Sequence, residues 1–349
     1  MAKKLFGKLE DIASTENLLL AWREFERGKR RKRDVQEFSL RLTDNILALH
    51  RDLVDGSYRH GGYQAFNISD PKPRNIHKAT VRDRLVHHAI YRVLYPFFDR
   101  TFIADLYSCR LNKGTHRALN RFRDFFCRAS WNNTRTCWVL KCDIKKFFAN
   151  IDHEILLAIL QRRIANPDIL VLFCHVIESF SSSCVHGGMR PHTTMAGKQA
   201  RPIGLPLGNL TSQLLVNIYM NEFDQFVKHY LKVKHYIRYA DDFVIFSHDR
   251  AWLQELVPAI AAFLRGRLRL ELHPDKLFIT AVASGVDFLG WIHFPDHRML
   301  RTATKRRVMR WLYASPSEAT LNSYLGLLNH GDAERLRVAM RARSISTGR

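Results

Sequence analysis

An α+β fold is what the sequence predicts, and three observations predict it. Short apolar runs of strand length are interleaved with longer segments of helical spacing along the whole chain. Acidic residues close the apolar runs, as on a sheet that carries functional groups at its strand ends. The last part of the chain returns to helical spacing with a strongly basic composition. In order, residues 14–56 read as two helices. Ser14 or Thr15 can cap the first, and Val35, Phe38, Leu42, Ile46 and Leu49 form a stripe in the second. Gly56 ends it, Tyr63–Ile68 alternates as a strand does, and Pro71 and Pro73 break the pattern inside the basic loop PKPRNIHK. Residues 80–98 are helical, Trp138–Cys142 is an apolar strand running into Asp143, and Glu154–Ile164 is helical again. The Gly-, Ser- and Pro-rich stretch 180–207 reads as loop or hairpin, and Leu210–Tyr230 has the length and period of a helix. Strands His235–Tyr239 and Phe243–Ser247 flank a two-acid turn. A helix over 251–268, strands near Leu277–Ala281 and Val286–Phe294, and a basic helical tail over 303–349 complete the chain.

The 349 residues suggest two or three structural units, and 46% hydrophobic residues suffice for a sizeable core. Lys and Arg number 55 against 33 Asp and Glu, a formal charge of +22. Self-repulsion on that scale points to a polyanionic partner. The charge is also clustered: Arg27, Lys29, Arg30, Arg31, Lys32 and Arg33 form one block, and Lys305, Arg306, Arg307 and Arg310 another. Both blocks adjoin helical segments, as a phosphate-tracking face would. Six cysteines without CxxC spacing indicate neither a zinc ribbon nor a disulfide framework. No apolar run approaches a membrane span, and the first residues lack the apolar core of a signal peptide. The expectation is a soluble, cytoplasmic, nucleic-acid-facing protein with no membrane partner.

The chemistry is carried by carboxylates. Asp143 closes the strand in WVLKCDIKKFF, while Asp241 and Asp242 sit between the apolar strands of YIRYADDFVIF. A lone pair of adjacent acids is ordinarily an exposed turn. Here apolar flanks on both sides, a third acid on another strand end and the positive excess point elsewhere. Adjacent carboxylates repel, so an apolar hairpin holds them at a cost unless a cation neutralises them. Magnesium suits a few carboxylates plus substrate phosphates. Two such ions about 4 Å apart can hold the attacking and leaving oxygens of a phosphoryl transfer.

These residues resemble the reverse transcriptases. YADD between hydrophobic strands is similar to their metal-binding hairpin, DIKKFFANIDH to their first palm motif, and GLPLGNLTSQLLVNIYMNEFD to their template–primer loop and helix. RNIHKATVRDR, SCRLNKGTHRAL, LHPDKLFI and VDFLGW follow the family's order as a fingers motif, its sequel, the lysine motif and the primer-grip hairpin. The resemblance covers about residues 60–295. It implies a right-hand polymerase: a basic helical extension over 1–60, fingers over 61–135, a palm with an antiparallel sheet over 136–295, and a short helical thumb over 296–349. It implies RNA-directed DNA synthesis with dNTPs and two Mg2+, with template RNA and the RNA–DNA hybrid as partners. Asp143, Asp241 and Asp242 would be the metal-binding acids, and Lys276 the lysine that protonates departing pyrophosphate. Phe148 would exclude a ribose 2′-hydroxyl, though Phe147 beside it competes for that role. Lys72 and Arg74 would meet the incoming triphosphate, with Arg84 of the DR pair structural.

Most family members carry QGxxxSP in the template–primer loop, whereas Leu207, Gly208, Ser212 and Gln213 here spell LGxxxSQ. That pattern resembles the reverse transcriptases of diversity-generating retroelements. It implies adenine-mutagenic copying for mutagenic retrohoming, and a small basic accessory protein that assembles as a ring. Leu207 removes a hydrogen-bonding side chain beside the nascent pair, so less binding energy separates right from wrong nucleotides. Retron, defence-associated or group II intron-type enzymes are the alternative, and a non-catalytic RNA-binding protein a more distant one. Cys174, His175, Cys184, His186 and His192 crowd one stretch but match no zinc-site spacing. Tyr58, Tyr63 and Phe66 suit packing more readily than base stacking, His87 and His88 suit packing or RNA contact more readily than metal ligation, and Trp291 suits packing beneath the primer-grip hairpin.

Overall fold

The computed structural model describes residues 4–69, 73–182, 201–313 and 318–346. The helices and strands run α1 (Leu9–Ala13), α2 (Thr15–Phe25), α3 (Arg33–Leu40), α4 (Leu42–Val54), β1 (Tyr63–Ile68), β2 (Arg74–Ala79), α5 (Val81–Asp99), α6 (Thr115–Ala129) and β3 (Trp138–Cys142). They continue with α7 (His153–Arg163), α8 (Pro167–Glu178), α9 (Leu210–Gln225), β4 (Tyr236–Tyr239), β5 (Asp242–Ser247), α10 (Arg250–Leu268) and β6 (Phe278–Ala281). Strands β7 (Val286–Phe288), β8 (Trp291–His293) and β9 (Arg298–Leu300) precede α11 (Thr302–Tyr313), α12 (Glu318–Leu328) and α13 (Glu334–Ser346). Every sheet is antiparallel, so the α+β class holds. Among the described residues, no helix is long and apolar enough to cross a membrane.

Two compact units form, both discontinuous in sequence, whereas the sequence reading marks off four consecutive segments. The first comprises residues 1–104, 144–230 and 261–271. Leu18, Ala21, Trp22 and Phe25 repeat at helical spacing on α2 and are buried where it packs against α5. The stripe expected along one helix from Val35 is broken: Arg41 leaves helical geometry (φ −122°, ψ 41°) and separates α3 from α4. The Asn45 side chain compensates by donating to the Phe38 carbonyl at 2.9 Å. Helix α9 is buried on nearly every side, with Asn217, Asn221 and Asp224 buried alongside Leu215, Tyr219 and Phe223, as befits a central helix. It is followed by one π-helical turn, Phe226–Tyr230, so the helix predicted to Tyr230 changes pitch in its last turn. The basic block falls between α2 and α3. Arg30 pairs with Glu26 and Arg33 with Glu37, each at an exposed i,i+4 position.

The second unit comprises residues 105–143, 231–260 and 272–349. Its four-stranded sheet runs β4-β5-β3-β6. The interior strand β3 buries Val139, Leu140 and Cys142, which is why its sequence reads as an apolar run broken by Lys141 alone. Helix α6 lays Leu119, Phe122, Phe125 and Phe126 into one core with Val139, Ile237, Val244 and Phe246. Trp291, Val308, Leu328 and Met340 extend that core to the β7-β8-β9 sheet and the C-terminal helices. The strand expected over Val286–Phe294 is a hairpin: Leu289 (φ 50°) and Gly290 (φ 86°) reverse the chain in left-handed conformation.

Candidate active site

The acids lie at one end of the β4-β5-β3-β6 sheet. Cys142 pairs with Phe243 and Tyr239 with Asp242, so one step further along the register brings Asp143 level with Asp242. The reversal between β4 and β5 uses Ala240 and Asp241 alone. Asp242 is the first residue of β5 rather than part of a two-acid turn. Like charges on facing strand positions repel. Asp241 registers this: burial first, then Asp143 and Asp242, push its carboxyl up to about 6. The Cys142 thiol beside them is pushed up to about 12, again by burial and then by Asp143 and Asp242.

Two ammonium groups offset the cluster. Lys276 Nζ donates to Asp143 Oδ2 at 3.0 Å, and Lys141 Nζ stands 4.0 Å from Asp242 Oδ1 while donating to the Asp287 carbonyl at 2.7 Å. The Asp143 carbonyl accepts from the His273 N–H at 2.8 Å, which fixes the segment bearing Lys276 against the end of β3. Among the described residues, no group of three or more His, Cys, Asp or Glu side chains closes into a metal cage. The donor set nonetheless fits magnesium in kind. Carboxylate oxygens are the hard ligands it prefers, it needs only one or two of them beside phosphates, and repulsion from Asp143 and Asp242 still raises the Asp241 carboxyl.

The hairpin turn is held from behind by residues that sequence reasoning missed. Ala240 sits at φ 56°, where a non-glycine residue is strained. Its N–H donates to Ser108 Oγ at 2.9 Å, and its carbonyl accepts from Arg238 Nη1 at 3.0 Å. Arg238 is 0% exposed, and its backbone N–H reaches the Asp105 carbonyl at 3.1 Å. The available signal was an arginine alternating with apolar residues in YIRYA, a position a sheet buries only for a purpose.

The nucleotide-selecting candidates fall in the first unit. Phe147 is buried and Phe148 half-buried, so the two adjacent rings part company and Phe148 is the one left accessible. The Phe148 carbonyl accepts from the Leu205 N–H at 2.8 Å, joining this segment to the loop that leads to Leu207. The Leu207 carbonyl accepts from the His77 N–H at 3.1 Å, and the Asn209 amide donates to the His77 carbonyl at 3.0 Å. The loop is thereby zipped onto β2, the strand that opens with exposed Arg74. Gly208 (φ 104°) is required twice over, since a Cβ there would also stand 2.9 Å from Ile76 Cγ2. Leu207 and Gln213 are half-buried. Arg84 binds Asp34 at 2.6 Å, a structural pairing. Lys72 lies outside the described residues, as do Cys184, His186 and His192. Tyr58 donates to Asp83 Oδ1 at 2.9 Å and is buried, and Tyr63 shares a 2.7 Å hydrogen bond with Ser179, so both are committed to packing.

The family model described as reverse transcriptase (RNA-dependent DNA polymerase) matches residues 69–293. Protein YkfC of Escherichia coli K12 is 26% identical over 316 residues, covering 81% of this chain and 78% of its own. The group II intron-encoded protein LtrA of Lactococcus lactis is 24% identical over 332 residues, covering 76% of this chain. The match spans 51% of LtrA, about half its length. A telomerase from Candida albicans, solved with a telomeric RNA fragment, aligns over 70% of this chain and 46% of its own at 14% identity and a TM-score of 0.49.

Proposed function

Because the chain belongs to the reverse transcriptase (RNA-dependent DNA polymerase) family, we propose that it extends a 3′-hydroxyl with dNTPs along an RNA template. The observation that carries this reading is the crowding of Asp143, Asp241 and Asp242 at one sheet end, with Lys276 3.0 Å from Asp143. Asp143 and Asp241 would hold two Mg2+, with Asp242 assisting. When bound, the ions stabilise the charge that develops on the attacking and leaving oxygens. Lys276, released from Asp143, is the proton donor to departing pyrophosphate. Lys72 and Arg74 neutralise the triphosphate, and Phe148 occupies the space a ribose 2′-hydroxyl would need. The segments 61–135, 136–295 and 296–349 would serve as fingers, palm and thumb.

We read the enzyme further as the diversity-generating kind. Leu207, Gly208 and Gln213 support this, because an aliphatic side chain at 207 offers the nascent pair no hydrogen bond. A basic ring-forming accessory protein would complete its hold on RNA. The intron-encoded relatives favour a group II intron-type enzyme as the second reading. Primer extension on a primed RNA with Mg2+ and all four dNTPs, followed by sequencing of the cDNA, tests both. Errors concentrated opposite adenines support the first reading, and accurate cDNA the second. Absence of product, even with cognate RNA and accessory protein supplied, refutes polymerase activity.

A further inference from the structure

We propose that one face of the first unit is a docking surface for a single-stranded polynucleotide. Three helical segments build it. Helix α7 turns Ile155, Ile159 and Arg162 to one side, α9 and its π-helical turn present Glu222 and Phe226, and the end of α10 adds Phe263 and Arg267. Spacings of three and four residues put each set on a single helix face. Together they line a cavity of about 360 Å3. That is the low end of ligand clefts, a fit for single nucleotides rather than a folded partner.

The aromatic side chains there are stacked. The Phe263 and Phe226 ring centroids lie 4.2 Å apart with planes 16° from parallel. Phe226 and Tyr230 follow at 5.1 Å and 18°. The outermost ring, Tyr230, is 77% exposed. Near-parallel stacking of this kind leaves the outer face of the last ring open, whereas an edge-on pair would turn a ring edge outward. A ladder of parallel rings ending in solvent is a platform that one more flat ring can extend. The π-helical turn that carries Phe226 and Tyr230 is itself of a rare kind that is frequent at functional sites.

Charge decides which flat ring. Glu222, the acid on this face, is spent on two arginines: Arg162 at 3.2 Å and Arg163 at 4.0 Å. Arg267 and neighbouring Arg265 are exposed on the α10 side. Stacking rings flanked by arginines is how sequence-tolerant proteins hold unpaired bases and their phosphates. A duplex hides its base faces and would gain only the charge. The surface shares no residue with the acidic cluster, and the inference does not depend on catalysis.

The test uses the full chain, saturated with an unlabelled primed RNA–DNA hybrid so that the polymerase substrate is already in place. It is then titrated with a labelled single-stranded oligonucleotide, in an RNA arm and a DNA arm of the same sequence. Tyr230→Ala weakens binding about tenfold, the loss of one stacked base, and Tyr230→Trp restores it. Arg267→Ala lowers the salt slope by about one. Extension of the primed template stays at the wild-type rate in all three. Photo-crosslinking through 5-iodouridine marks the peptide containing Tyr230. Tighter binding in the RNA arm identifies the template strand as the occupant, and tighter binding in the DNA arm the newly made strand. Unchanged binding by Tyr230→Ala, or a Trp variant no better than Ala, overturns the proposal. So does a drop in oligomer size on sedimentation of Tyr230→Ala with oligonucleotide binding intact, which would make the face a protein contact.

Discussion

Replacing Asp241 with Asn should stabilise the metal-free protein while abolishing synthesis. The Asp241 carboxyl rises from 3.8 to about 6 through burial and repulsion from Asp143 and Asp242. The difference, 6 − 3.8, is about 2 pKa units, so the ionised group costs the folded state about 3 kcal/mol at neutral pH. The sign follows from linkage. A carboxyl whose folded pKa is raised destabilises fully above that pKa, and the penalty fades as pH falls from about 6 towards 3.8. Asn cannot ionise, so it recovers most of this, less whatever its amide fails to bond; about 2 kcal/mol is expected. In thermal melts with chelator at pH 7.5 the variant should melt roughly 4–8 °C above wild type, on the scaling for a domain of this size. The gap should close between pH 6 and pH 4. Added Mg2+ should raise the wild-type melting temperature and leave the variant nearly unmoved, because a ligand stabilises only the state that binds it. Primer extension by the variant should fall roughly a thousandfold or more, the loss of several kcal/mol of transition-state charge stabilisation. A variant melting at or below wild type in chelator would refute the crowding argument. One that kept its response to Mg2+ would remove Asp241 from the metal site.

Three further outcomes follow from the geometry. Phe148→Ala, which removes a half-buried ring while Phe147 keeps its core place, should raise ribonucleotide incorporation roughly tenfold or more at unchanged dNTP turnover, measured in competition assays. Gly208→Ala should cost about 1–3 kcal/mol, because it meets both a left-handed φ and Ile76 at 2.9 Å; a raised KM for dNTP in steady-state kinetics would show the loop loosening from β2. His293, stacked on Phe122 with ring centroids 4.0 Å apart, is pushed down to about 3 by burial and then by Arg298. It resists protonation when folded, so stability present above pH 6.5 is lost as pH falls below it. Between pH 6.5 and pH 5, urea melts of His293→Phe should lose about 2 kcal/mol less than wild type, and equal losses would count against this role.

The sequence made some elements legible because their pattern is local. Trp138–Cys142 reads as a strand from its apolar run, since β3 is flanked by β5 and β6. Gly56 reads as a helix stop, and its φ of 67° is why. The helix break at Arg41 is not legible, because no glycine or proline marks it; it is stabilised by Asn45 reaching back to Phe38. The β7–β8 reversal carries one mark, Gly290, but its other residue is Leu289, a side chain that rarely takes the positive φ it has there. The discontinuity of the two units is beyond any local pattern, since segments over a hundred residues apart share one sheet.

The acids show the same division at the site itself. Three carboxylates on strand ends can be read from YADD and KCD, because apolar flanks make them anomalous. What keeps them in position cannot. The turn that carries Asp241 passes through Ala240 at φ 56°, a conformation costing about 1–2 kcal/mol for a residue with a Cβ. Ser108 and Arg238 each give that turn one hydrogen bond from a fully packed position. Lys141 and Lys276, from β3 and from the segment before β6, bring charge to the acids from two other parts of the chain. Even with those ammonium groups nearby, burial, Asp143 and Asp242 keep the Asp241 carboxyl raised, and that repulsion is what a divalent ion would relieve. An alanine forced through a left-handed turn, braced by a buried arginine, is costly to maintain for stability alone. Its cost is intelligible if the turn exists to hold Asp241 at a fixed height beside Asp143.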